Sequence, residues 1–262
     1  MKLKKHWNGQ YGKSAFIKNG TLGMIELDML KLREGEQKHY YETDNKEYGL
    51  IILGGKCSVV GEGFAFEHIG KRKNVFDGPA ASVYLPKNCD FTVTAEEGEV
   101  EIAVAKCPAE KDFPPRLVNP EDVIIKHLGK DGWKREAHFN IDERLDANLI
   151  YIGEAWTEGG MWSSYPPHKH DDNNMPEESF MEELYFYRFD KPTGFGIQRV
   201  YTKEGDIDET YTVKNDDAVE IPRGYHPCTC APGYKLYYLW IMAGKIRGFH
   251  MTTDEDHKWL NK

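Results

Sequence analysis

At 262 residues with a formal net charge of -9, the chain is long enough to bury a core without covalent staples, and its acidity argues against a nucleic-acid partner, whose backbone is held by clustered Lys and Arg. The five cysteines are odd in number, and Cys228 and Cys230 would share one side of any strand, so free thiols in a reducing, cytoplasmic setting are expected. The basic opening MKLKKHWNGQYGK leads into no apolar run of signal-peptide length, and no later stretch approaches a membrane span, so neither secretion nor membrane insertion is expected.

In chain order the strand signals are GLIILGGKCSVV, ASVYLPKNCDFTV, VEIAVAKC, ANLIYIGEAW, EELYFYRF, GFGIQRVYT, DAVEIPRGYHP and YKLYYLWIMAG. Each is a short apolar or alternating run bounded by Gly, Pro or Asn, as antiparallel strands require. Helical periodicity is sparse, with EDVIIKHLGK and DEDHKWLNK as the candidates. An all-β sandwich or barrel is expected.

The two halves repeat. ASVYLPKNCDFTVTA aligns with AVEIPRGYHPCTCA, so that Pro86 falls on Pro222, Lys87 on Arg223, Asn88 on Gly224 and Asp90 on His226. GLIILGGKCSVV and the strand after PPHKH each follow an acidic residue, Glu47 and Glu183. The expected organisation is two related barrels, 1–115 and 116–262, joined where Pro114, Pro115 and Pro120 crowd the chain. The alternative is one large sandwich.

The chemistry concentrates in SSYPPHKHDDNNMPEESFMEELYFYRF. Two imidazoles at i and i+2 on extended chain point to one side, so His168 and His170 can face one ion while Lys169 faces away. Glu183 opens the next strand, with Tyr185 and Tyr187 on its face, and His226 would arrive from a neighbouring strand after Pro222-Arg223-Gly224. Three neutral imidazoles and a carboxylate suit zinc, iron or manganese, and the spacing does not choose among them. Each piece alone has a plainer reading: solvated histidines in a proline loop, strand-edge carboxylates, a turn histidine, a tyrosine stripe in a core. The joint reading is strengthened by the first half, which offers only His39 ahead of Glu47 and has Asp90 where the second half has His226.

A histidine pair, a glutamate opening a strand and a later histidine after Pro-x-Gly resemble the two motifs of cupins. SSYPPHKHD, EELYFYRF, QRVY, IPRGYHP and PGYKLYYLWIMAG are similar to a family of uronate ketol-isomerases, duplicated cupins with metal only in the C-terminal barrel. The inserted DDNNMPEESFM resembles the branch serving myo-inositol catabolism rather than pectin breakdown. The resemblance implies His168, His170, Glu183 and His226 as metal ligands, with Glu182 the alternative carboxylate, and zinc as the metal, manganese or iron being possible. It further implies an aldose–ketose isomerase acting on a small uronate-type sugar acid, with no nucleic-acid or membrane partner and possible assembly into homo-oligomers. Such a reaction needs a polarised carbonyl and proton transfer, for which Tyr185 is a candidate, and a cation for the substrate carboxylate, for which Arg199 stands first and Lys169 second. Tyr187, Tyr238 and Trp240 would wall the pocket. The competing readings are the pectin-derived 4-deoxy-L-threo-5-hexosulose-uronate as substrate, an oxygen-using cupin, and a sugar-acid binding module without turnover.

Overall fold

Alternation along a few long strands decides the architecture. In Lys46–Gly61, Tyr48, Leu50 and Ile52 point into one apolar core while Ile51 and Leu53 point into another. In Glu182–Phe189, Tyr185, Tyr187 and Phe189 enter a third core, and Leu184 and Phe186 join Ile51 and Leu53. With a side-chain period of two, each strand serves a barrel interior on one face and a shared interface on the other. The result is two β-barrels glued by a common core, in a computed structural model that describes residues 2–18, 20–40 and 45–261.

The first barrel is an eight-stranded antiparallel sheet whose longest strands, Lys46–Gly61 and Phe91–Pro108, pair along most of their length. The second has a seven-stranded sheet built around Glu182–Phe189, Lys235–Ala243 and Ile150–Glu158. A four-stranded sheet faces it, containing Trp162–Ser163, Cys228–Cys230, Phe195–Tyr201 and Asp208–Lys214. The expected all-β, two-barrel fold is therefore present. All five cysteines are free. Among the described residues no helix is long and apolar enough to cross a membrane.

The boundary expected near residue 115 is not where the sheets divide. Lys4–His6 leaves the N-terminal half and pairs with Asp217–Ile221 at the edge of the second barrel, where Leu3 is wholly buried in that barrel's core. Arg116–Val118 extends the first barrel's sheet by pairing with Ser82–Leu85, and the second barrel begins at Ile124–Leu128. That last segment was a helix candidate; only Pro120–Asp122 forms a 3-10 turn before the chain becomes extended. The other candidate, at the C-terminus, is a 3-10 helix over Glu255–Asn261.

Two carboxylates clamp the barrels reciprocally. Glu47 is fully buried and accepts hydrogen bonds from the backbone amides of Asn148, Leu149 and Ile150 at 2.6, 2.6 and 2.8 Å, and from the Tyr84 hydroxyl at 3.0 Å. Glu182 accepts from the amides of Gly23 and Met24, both at 2.7 Å. Each carboxylate sits on one barrel's strand and satisfies backbone of the other half. Sheet register shows the same equivalence, because Glu47 lies opposite Cys107 and Glu182 opposite Ala243 in the corresponding strands. The sequence pairing of Glu47 with Glu183 is corrected by one residue: Glu47 matches Glu182, and Tyr48 stands where the second barrel has Glu183.

Candidate metal centre

Inside the second barrel, His170, Glu183 and His226 bring their ligand atoms within 4.8 Å of one another, all three residues buried. It is the one His, Cys, Asp or Glu cluster of this kind among the described residues. Three local structures deliver the side chains. The stretch His168–Lys169 pairs with Thr252–Thr253, so the C-terminal segment holds the histidine pair against the barrel. Glu183 is fixed in register between Ile221 and Met242. His226 follows a turn in which Gly224 has φ +95° and a side chain would meet the Tyr201 carbonyl oxygen at 2.5 Å, so glycine is required there. The Asp171 carboxylate accepts the Gly224 amide at 2.8 Å and ties the histidine loop to that turn.

The imidazoles are oriented through their far nitrogens. Nδ1 of His170 donates to the Met181 carbonyl at 2.6 Å, that of His226 to the Gly224 carbonyl at 2.8 Å, and that of His168 faces the Pro166 carbonyl at 3.3 Å. This fixes the tautomer and leaves the Nε2 lone pairs for a ligand, the arrangement metal-binding histidines use. The Nε2 atoms of His170 and His226 both stand 3.0 Å from Glu183 Oε2, yet His226 Nε2 is buried without a hydrogen bond of acceptable direction. With Nδ1 committed as donor on each ring, each Nε2 meets that oxygen lone pair to lone pair unless a proton or a metal cation stands between them. The donor set therefore fits a divalent ion, which His170, Glu183 and His226 would hold. His168 lies beside this triplet with its ring 5.0 Å from that of His226.

The electrostatics favour positive charge beside Glu183, whether carried by a proton or by a metal ion. Burial disfavours the Glu183 carboxylate's charge, but the adjoining imidazoles of His226 and His170 outweigh it and hold its pKa at about 2. Burial likewise opposes a charged His170, and the Glu183 hydrogen bond and charge overcome it, raising the pKa. His168 is pushed well below the ordinary histidine range by burial and by His226, His170 and Arg135. It is a neutral imidazole at physiological pH.

A cavity of about 310 Å³ opens over these groups, lined by His168, His170, Glu183, Tyr185, Tyr238, Trp240, Phe139, Phe249, Met242, Met251, Ser164, Lys126 and Arg135 among others. It lies at the small end of ligand-site volumes. A larger opening of about 700 Å³ at the barrel junction, lined by Phe113, Ala147 and Arg247 among others, has no such cluster, so chemistry rather than size marks the site. The Tyr185 hydroxyl bonds Ser164 Oγ at 2.5 Å and that of Tyr238 bonds Ser163 Oγ at 2.7 Å. Burial drives the Tyr185 phenol pKa well above its usual value, with Glu183 adding to it, and burial also raises that of Tyr238. Both remain protonated. Trp240 packs over Gly153, where a β-carbon would come within 2.0 Å of the indole.

Several expected site residues lie elsewhere. Arg199 faces outward, bonding Asp208 Oδ1 through Nε and Nη2 at 3.1 and 3.0 Å; strand parity turns its neighbour Gln198 inward instead. Gln198 is wholly buried, accepts the Tyr187 hydroxyl and donates to the His226 backbone carbonyl at 2.7 Å. It is a buttress for the ligand turn that an internal polar residue in QRVY could have signalled. Tyr187 is spent on that bond below the cavity. Lys169 turns away to Glu178 and Asp172, at 2.7 and 2.9 Å. Glu182, the alternative ligand, faces the other barrel. The cations that line the cavity are Arg135, which opens the strand Arg135–Ile141, and Lys126, in the middle of Ile124–Leu128, with no motif to single them out.

In the first barrel the corresponding interior is filled by Tyr40, Tyr48 and Phe91. Tyr40 stacks on Phe91 with centroids 4.6 Å apart, and Tyr48 meets both edge-on. His39 and Asp90, the residues expected near the ligand positions, are exposed.

Two antiparallel barrels, one carrying a His–Glu–His cluster and the other plugged by aromatic rings, define a bicupin. The chain belongs to the KduI/IolB family, whose pattern matches residues 7–260. It is 42% identical over 246 residues to the 5-deoxy-glucuronate isomerase of Bacillus licheniformis, covering 92% of this chain and 89% of that one. It is 40% identical over 245 residues to the protein of that name from Bacillus subtilis (strain 168), with the same coverage. The crystal structure of an IolB-like protein from Salmonella typhimurium LT2 superposes with a TM-score of 0.95 at 35% identity over the whole of both chains. Oxalate decarboxylase of Lactobacillus farciminis superposes over 100% of this chain and 90% of its own with a TM-score of 0.73 at 12% identity, a likeness of fold.

Proposed function

We propose that this protein isomerises 5-deoxy-D-glucuronate to 2-deoxy-5-keto-D-gluconate, the aldose–ketose step of myo-inositol catabolism. The observation that carries the reading is the convergence of His170, Glu183 and His226 on one point at the floor of a small cavity, in a chain about 40% identical to curated isomerases of that name.

The reaction is redox-neutral: one hydrogen leaves C2 for C1, and the hydroxyl proton of C2 passes to the oxygen of C1. A divalent ion bound by His170, Glu183 and His226, with His168 beside them, would polarise the substrate carbonyl and offset developing negative charge on oxygen. Zinc suits a nitrogen-rich set of this kind, and manganese or iron would be accepted by the same ligands. The chain's own residues do the remainder. The carbonyls of Met181 and Gly224 hold the imidazoles in one tautomer. Tyr185 and Tyr238, both protonated, present hydroxyls held by serines and orient the sugar's oxygens rather than remove a proton. Trp240, Phe139 and Met242 exclude water from the reacting carbons. Five free cysteines suit a reducing compartment and support a cytoplasmic enzyme.

The test is turnover of 5-deoxy-D-glucuronate by purified protein of known metal content, followed by NMR, alongside the pectin-derived hexosulose-uronate. Metal-dependent conversion of the first and a much lower kcat/KM for the second are expected; full turnover by metal-free protein sinks the reading.

A further inference from the structure

The cavity's charge is lopsided. Its single carboxylate, Glu183, is engaged by two imidazoles, whereas its two permanent cations, Arg135 and Lys126, form no ion pair among the described residues. Arg135 spends one Nη1 bond on the Tyr165 carbonyl at 3.2 Å, and Lys126 lies over the Phe139 ring at 4.4 Å. A guanidinium with unused donors on a cavity wall whose one carboxylate is already engaged is a site for a planar anion. Arg135 is half-buried and Lys126 exposed, so the first binds by directed hydrogen bonds and the second acts as a screened charge at the mouth.

We infer that Arg135 receives the carboxylate of the sugar acid and thereby sets which end of the substrate reaches the His–Glu–His floor. The inference rests on the isomerase reading and adds its specificity determinant. Carboxylate at Arg135 leaves the aldehyde end to enter the cavity first, and a neutral sugar lacks the anchor.

The experiment compares wild type with Arg135→Met, Arg135→Lys and Lys126→Met on 5-deoxy-D-glucuronate and on its C6-reduced neutral counterpart. Melting temperature and metal content are measured for each variant. Arg135→Met is expected to raise KM for the uronate about 10- to 100-fold, the loss of a charge-assisted hydrogen-bond pair, with kcat changed less than about 3-fold. Its kcat/KM on the neutral sugar falls far less than on the uronate, Arg135→Lys recovers part of the loss, and Lys126→Met shifts KM only a few-fold and only at low salt. A folded, metal-loaded Arg135→Met with wild-type KM overturns the inference, as does an equal loss on both sugars. Binding of D-gluconate, an inert sugar acid, is measured in parallel by calorimetry. If wild type fails to isomerise the uronate but binds gluconate in an Arg135-dependent way, the isomerase reading falls and the anion site stands.

Discussion

Glu182 and Glu183 are neighbours in the chain and serve different barrels: Glu183 meets two buried imidazoles at 3.0 Å, and Glu182 takes two backbone amides of the N-terminal half at 2.7 Å. The strand's two-residue period separates the candidate metal cluster from the contact between barrels in adjacent residues. Substitutions should divide the same way. Glu182→Gln weakens two charge-assisted bonds and is expected to cost about 2–3 kcal/mol, lowering Tm by about 4–10 °C while metal content is retained. Glu183→Gln should lose metal and activity. Calorimetry and metal analysis on both variants decide the matter, and loss of metal from a stable Glu182→Gln protein would contradict it.

Removing a ligand and removing the ion should converge. His226→Ala is expected to bind metal more than about 100-fold more weakly and to lose turnover while keeping the β-sheet circular-dichroism signature. Chelated wild-type protein should melt lower, and re-addition of zinc or manganese at about 100 times Kd should restore about 2.7 kcal/mol. His226→Ala should show no metal-dependent shift. A variant that melts identically with and without metal yet turns over at wild-type rate is the contrary outcome.

The loop between His170 and Glu183 is stapled by Glu178, which accepts Lys169 Nζ at 2.7 Å and the amides of Asp171 and Asp172 at 2.6 and 3.1 Å. Burial opposes its charge, but Lys169, Thr252 and those amides outweigh it and lower its pKa. A carboxylate depressed in the folded state contributes stability above its unfolded value of about 4.3, and that contribution is lost as pH falls through the folded value. Glu178→Gln should therefore be less stable near neutrality and show a shallower loss of Tm in acid. Parallel acid slopes for the two proteins would show that Glu178 is uninvolved.

One ion per chain is the expected stoichiometry, because Tyr40, Tyr48 and Phe91 fill the first barrel where the second has its His–Glu–His cluster. Tyr48→Glu, which writes the second barrel's residue into the first, should not create a second site. It buries a carboxylate among rings and is expected to cost about 3 kcal/mol or more. Inductively coupled plasma analysis reads the stoichiometry and thermal denaturation the cost; two ions per chain in the variant would refute the plug.

Local pattern and composition determined a great deal. Period-two alternation and turn residues identified the strands, the repeat of Pro-x-x around Pro86 and Pro222 identified the duplication, and i, i+2 spacing put His168 and His170 on one face, since each of these depends only on neighbours in the chain. Tertiary structure alone decided what depends on which face meets which barrel: that Gln198 rather than Arg199 turns inward, that Lys169 is spent on Glu178, that Glu47 corresponds to Glu182, and that Lys4–His6 joins the far barrel. Arg135 carries no motif because its role comes from an address on the cavity wall. A one-residue choice of strand face exchanges core for solvent, and that choice is made by long-range packing between strands far apart in sequence.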